Sequence, residues 1–212
     1  MSLALACPEC GSELATPLLC ERCGTLLDPA TPPTPFAVLG LEPTYALDLG
    51  AATKRVLALS RALHPDFHAN AGDELRRRAQ DNTAALNAAF QVLADDARRA
   101  DWLVRDLGGP AEDQERAMPP AYLEEVLEWN EAIEEARGSA AADSPARARL
   151  APLNERLEQE RTKTLRRIAA LLTPLPPRGS PALRSARQEL NAVRYLDRAL
   201  RELGELRLAT RV

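Results

Sequence analysis

The amino-acid sequence predicts an all-α protein preceded by a small cysteine-based module. Ala, Leu, Arg and Glu dominate and aromatic residues make up only 4%; the dominant types lose little freedom on entering a helix. Apolar residues recur at spacings of 3 and 4 along most of the chain, the period of a single helix face. All four cysteines lie in the first 23 residues, so no disulfide framework holds the remainder together. The 212 residues, 45% of them hydrophobic and with a net charge of -4, suit one or two globular domains with a sizeable core. This mild acidity argues against wholesale nucleic-acid binding. No apolar run approaches the roughly 18 to 20 residues that span a bilayer. Leu3-Ala4-Leu5-Ala6-Cys7 bears a faint likeness to a lipoprotein cleavage site, but its apolar core is too short for a signal peptide. The expected compartment is the cytoplasm.

Taken in order, residues 1–28 hold Cys7-Pro8-Glu9-Cys10 and Cys20-Glu21-Arg22-Cys23. Each pair suits a tight knuckle, and two knuckles complete a tetrahedral four-cysteine site for structural zinc. Gly11 and Gly24, directly after the pairs, supply the backbone freedom such knuckles need. Two disulfides are the alternative, although a cytosolic chain would keep these thiols reduced. Four thiolates leave no open coordination position, so the metal would be structural and not catalytic. Residues 29–35 continue a run reading DPATPPTP from Asp28, an extended semi-rigid linker that should keep the module separate from the helices after it.

The first helical domain occupies residues 36–109. A short segment, FAVLGL, is ended by Gly40 and Pro43. Asp48 can cap a longer helix, with Leu49, Ala52, Val56, Leu59 and Leu63 on one face and Lys54, Arg55 and Arg61 on others. His64-Pro65-Asp66 should stop it, because proline disfavours a helical residue before it. A third helix runs from Asp73 to about Asp95 with Leu75, Ala79, Asn82, Leu86, Phe90 and Leu93 in register. The two long helices then form an antiparallel hairpin with the tripeptide in its loop. A shorter helix, about Ala97 to Leu107, packs Trp102, Leu103 and Leu107 before Gly108-Gly109-Pro110 stops it.

Residues 110–120 read as a hinge, and 121–209 as a three-helix bundle with helices at about Ala121 to Arg137, Pro145 to Leu172 and Pro181 to Leu208. In the last, Leu183, Ala186, Leu190, Val193, Leu196, Leu200 and Leu203 mark a core face. The first carries two apolar lines. Tyr122, Val126, Trp129 and Ile133 should face the core; Leu123 and Leu127 continue as Glu131 and Glu135, with Glu124, Glu128 and Glu134 alongside. That second line is either a solvated acidic face or a docking surface with an apolar centre and a charged rim.

The His64-Pro65-Asp66 tip offers two titratable groups, yet nothing beside it supplies a positioned Ser or Cys nucleophile or a glycine-rich phosphate loop. A metal site of His64, Asp66 and His68 lacks a preformed helix face. A docking role is expected. A basic helix, then HPD, then a long helix containing LNAAFQVL (86–93) resembles a J-domain. Over roughly residues 35 to 205, FAVLGLEP, SRALHPDFH, LNAAFQVLADDARRADWLV and YLEEVLEWNEAIEEA come in the order of the HscB-type iron-sulfur co-chaperones, a family the chain is similar to. The double CxxC resembles a metal-binding extension found in some members.

The resemblance implies an L-shaped, non-enzymatic adaptor. His64, Pro65 and Asp66 would contact an HscA/DnaK-class ATPase chaperone and stimulate its hydrolysis, with Lys54, Arg55 and Arg61 steering the encounter. Leu123, Leu127, Glu128, Glu131, Glu135 and Tyr195 would bind an IscU-type iron-sulfur scaffold protein, so that one chain promotes cluster transfer. Cys7, Cys10, Cys20 and Cys23 would hold zinc, sense redox state or promote self-association. A general J-domain chaperone binding unfolded clients is the alternative. A zinc-dependent hydrolase or nucleic-acid binder has only the cysteines in its favour.

Overall fold

The computed structural model describes residues 6–68, 72–138 and 148–208, apart from the side chains of Pro65, His68, Ala121, Leu123, Glu124 and Leu208. Among these residues seven α-helices form: α1 (Pro35–Leu39), α2 (Leu49–Leu63), α3 (Asp73–Ala94), α4 (Asp96–Asp106), α5 (Ala121–Gly138), α6 (Leu150–Leu172) and α7 (Pro181–Leu208). There is no extended strand among them, only the isolated bridges Ala6 to Glu13 and Leu19 to Leu26. The chain divides into two compact units, Met1–Arg99 and Ala100–Val212. This division falls inside α4 and not at the Gly108-Gly109-Pro110 stop. The cause is visible on either side of it. Arg99, almost fully buried, donates to the carbonyls of Tyr45 (2.9 Å) and Leu93 and pairs with Asp96. In the second unit, Asp101 accepts from Arg187 at 2.5 Å, and the Leu107 carbonyl accepts from the Gly179 amide at 2.8 Å.

In the first unit Gly40 ends α1, and Asp48 and His64 bound α2, as the sequence suggests. Thr34 caps α1, its hydroxyl accepting from the Ala37 amide at 3.2 Å; Asp48 caps α2, accepting from Ala51 at 3.0 Å. Such caps satisfy amides that have no partner within the helix. The hairpin of α2 and α3 buries Ala52, Leu59, Leu63, Ala79, Leu86, Ala89 and Leu93 against Phe36, Val38 and Leu39 of α1. Val56 is half-buried and Leu49 exposed, so the core face of α2 is narrower than its apolar spacing suggests.

The cysteine module departs from expectation. The prolines of 29–35 suggest a spacer, but the chain returns and the module packs onto the helices of the same unit. Leu18, Leu19 and Leu26 are buried. Asn82 of α3, also buried, donates both amide hydrogens of its carboxamide to the carbonyls of Leu18 (2.8 Å) and Leu27 (3.0 Å). Thr16 donates to the Val38 carbonyl at 2.7 Å. Gly40 ends α1 with φ of 68°, and a Cβ placed there would lie 2.2 Å from the Ala15 carbonyl oxygen; only glycine permits this approach.

The second unit is built on α6 and α7, with α5 laid against them. Tyr122, Trp129, Ile133 and Ala136 of α5 meet Leu150, Leu153 and Leu157 of α6 and Ala192, Leu196, Ala199 and Leu203 of α7 in one apolar cluster. The core line expected for α5 is thus buried, except that Val126 is only partly so. A polar knot fastens the start of α5: the Tyr122 hydroxyl meets Thr164 and Arg167 and donates to Glu160 at 3.2 Å, and burial pushes that phenol up to about 12.

Candidate functional site

Three places carry the residues singled out in the sequence. The first is the cysteine cluster. Its knuckles repeat each other: the Gly11 amide donates to the Cys7 carbonyl (2.9 Å) as Gly24 does to Cys20 (2.8 Å), and the Cys7 amide donates to Ser12 (2.8 Å) as that of Cys20 does to Thr25 (2.9 Å). Both glycines adopt positive φ, 68° and 76°, where a side chain would be strained. The four thiols form no disulfide, and their sulfurs all lie within 4.8 Å of one another. Cys7 and Cys23 approach to 3.7 Å and Cys10 and Cys20 to 3.6 Å. A tetrahedron of metal–sulfur bonds about 2.3 Å long has edges of about 3.8 Å, so the donor set fits a metal ion.

A second layer surrounds the sulfurs. The Ser12 hydroxyl lies 3.0 Å from Cys10 Sγ and 3.2 Å from Cys20 Sγ, and Thr25 Oγ1 lies 3.1 Å from Cys23 Sγ. Hydrogen bonding from Ser12 holds the Cys20 thiol down at about 6, whereas burial pushes Cys7 up to about 11. The Ser12 hydroxyl favours thiolate, the form that binds metal.

The second place is the end of α2. His64 leaves the helix with ψ of 127°, Pro65–His68 form one turn of 3₁₀ helix, and the Phe67 amide donates to the His64 carbonyl at 3.0 Å. The Asp66 amide donates to His64 Nδ1 at 3.3 Å, and the Asp66 carboxylate lies 3.5 Å from the same nitrogen. The Asp66 side chain is 89% exposed. The candidate metal set of His64, Asp66 and His68 lies partly outside the described residues.

Lys54, Leu57, Arg61 and His64 succeed one another at spacings of 3, 4 and 3, and all are exposed. Leu57, which sequence reasoning leaves out of this surface, sits in the middle of it at 55% exposure. Its signal is an apolar residue on the basic line of α2. Arg55, in contrast, is engaged elsewhere: its guanidinium makes a two-pronged pair with Glu21 (2.8 and 2.5 Å), and its Nε donates to the Leu39 carbonyl at 3.1 Å.

The third place is α5. Leu127 is 64% exposed and Glu128, Glu131 and Glu135 are exposed with it, while the Leu123 side chain lies outside the described residues. Glu128 and Glu135 face Arg156 and Arg149 at 3.4 and 3.5 Å, which thins the acidic rim. Tyr195 of α7 is 41% exposed and lines a cleft of about 320 Å³ with Val126, Asn130, Glu134 and Arg198. Tyr195 thus meets the flank of α5 beside the Leu127 line.

Known proteins resemble this chain in sequence and in fold. The family description "HSCB C-terminal oligomerisation domain" matches residues 118–204. A co-chaperone protein HscB homolog of Cupriavidus taiwanensis is 35% identical over 138 residues, covering 65% of this chain and 76% of that protein. The homolog from Paraburkholderia phymatum is 30% identical over 171 residues, covering 80% and 91%. Among solved structures, human co-chaperone HscB superposes with a TM-score of 0.73 at 18% identity over 95% of this chain and 98% of that one. HscB from Vibrio cholerae gives 0.67 at 24% identity over 82% and 98%. The fold is that of these structures, and the protein belongs to the HscB co-chaperone family.

Proposed function

We infer that this co-chaperone is an adaptor and not an enzyme, with two docking surfaces on separate units. The His64-Pro65-Asp66 tip, with Lys54 and Arg61 beside it, engages an HscA/DnaK-class ATPase and stimulates its hydrolysis. The α5 face, with Leu123, Leu127, Glu128, Glu131 and Glu135, and Tyr195 from α7, holds an IscU-type iron-sulfur scaffold protein. Bringing both partners to one chain raises their effective concentration for each other and promotes cluster transfer. Cys7, Cys10, Cys20 and Cys23 hold a structural zinc ion.

Leu127 carries this reading. A helix that already buries Tyr122, Trp129 and Ile133 gains no stability from a large apolar side chain left in solvent. Placed amid carboxylates, Leu127 suits a partner site with an apolar centre and a polar rim. Replacing both Leu123 and Leu127 by Ala should weaken scaffold binding by calorimetry at least about tenfold, the loss expected when an apolar anchor is truncated, and leave circular dichroism unchanged. Lost helicity would make these leucines core. Competition by denatured proteins for the same face would instead favour a general chaperone of unfolded clients.

A further inference from the structure

We propose that Asn82 and the Glu21–Arg55 pair are positioning residues for the metal, making the cysteine module and helices α1 to α3 one thermodynamically linked unit in which metal occupancy is felt on α2. This rests on the metal-binding reading of the cysteines and not on the identity of any partner.

The module meets the helices through specific groups. Asn82 stands in the apolar line of α3 between Ala79 and Leu86, buried to 4% exposure. It is retained there by the two carbonyls it satisfies, Leu18 and Leu27. Those carbonyls bracket the second knuckle, Cys20 to Cys23. Inside that knuckle, Glu21 comes directly after a metal ligand and takes the two-pronged pair from Arg55 of α2. Arg55 also holds the end of α1 through the Leu39 carbonyl. Thus α1, α2 and α3 are all tied to the loop that must be ordered for metal to bind.

A short loop of this kind has little apolar core of its own, so its ordering free energy comes from metal and from docking together. The two contributions share one cycle, and whatever docking adds to metal affinity, metal adds equally to docking. Groups that order the knuckle therefore change metal affinity although they touch neither the metal nor its ligands. The same cycle reaches α2, whose Lys54 and Arg61 lie one residue before and six residues after Arg55. Loss of metal would release Arg55 from Glu21 and loosen the seat of the helix that ends in His64.

The test uses the full chain and zinc alone, with affinity read by competition against a chromophoric chelator. Asn82→Leu should weaken zinc at least severalfold, by the docking contribution it removes. Arg55→Glu should weaken it severalfold, and adding Glu21→Arg to restore the pair in reverse should recover part of the loss, the bond from position 55 to the Leu39 carbonyl staying broken. In the unaltered chain, removal of zinc should lower the melting midpoint of the α1–α3 unit, and Asn82→Leu should shrink that difference. Equal zinc affinity in every variant, or a melting midpoint indifferent to zinc, would overturn the proposal. Should Asn82→Leu fail to fold by circular dichroism, the charge-swap pair decides: recovery supports the linkage, and no recovery sinks it.

Discussion

The cysteine module and the helical bundle of α5, α6 and α7 are stabilised in opposite ways. The bundle buries a continuous apolar cluster, with Trp129, Ile133, Leu157, Leu196 and Leu203 all at 2% exposure or less. The module buries Leu18, Leu19 and Leu26 and otherwise depends on thiols, two glycines in the left-handed region and hydrogen bonds to its neighbours. Apolar burial is insensitive to chelators and protons, whereas thiolate ligation answers to both. One part of the protein should therefore yield in graded fashion to mutation, and the other should switch.

The largest effect that would sharpen this contrast is metal removal. Chelation should abolish protection of the residue 6–27 amides in hydrogen exchange and leave α5 to α7 unchanged. Next is a core truncation: Leu157→Ala, at a fully buried position, should cost about 3 kcal/mol, read as earlier melting of the bundle with zinc content unaltered. Acid should divide the two regions again. Hydrogen bonding from Ser12 lowers the Cys20 thiol, and ligation needs thiolates, so metal binding is favoured at higher pH and is lost as falling pH protonates the sulfurs. Zinc release should accompany that descent while bundle helicity holds; release of zinc only with global unfolding would break the comparison. The smallest effect is at a helix end, where Asp48→Ala should cost about 1 kcal/mol, confined to the first unit.

The bundle was largely legible in the sequence because burial writes a period of 3 and 4 into α5, α6 and α7. The ends of α2 and α3 were legible for electrostatic reasons. Asp48 accepts an amide that α2 leaves unsatisfied, and Asp73 and Glu74 place negative charge in the first turn of α3, where the helix dipole favours it. Docking of the module was not legible. Prolines fix local φ but carry no information about where the chain returns, and the seat depends on contacts between residues more than fifty positions apart, Leu18 and Leu27 with Asn82. One hint was present: a polar Asn in an otherwise apolar line. The buried Arg99 and Arg187 were likewise hidden, because arginine reads as surface until the carbonyls it satisfies are known. At the candidate docking surfaces, the pattern of residues marks the lines on α2 and α5, but it cannot show that Arg55 is engaged by Glu21 or that Leu57 stands among the basic groups.

The adaptor account is tested most directly by ATP turnover of a DnaK-class chaperone in the presence of the His64→Gln chain, with scaffold affinity measured on the same sample. The account predicts that acceleration of hydrolysis is lost, with or without scaffold, while scaffold binding and zinc content equal those of the unaltered protein. Acceleration equal to that of the unaltered chain would contradict it.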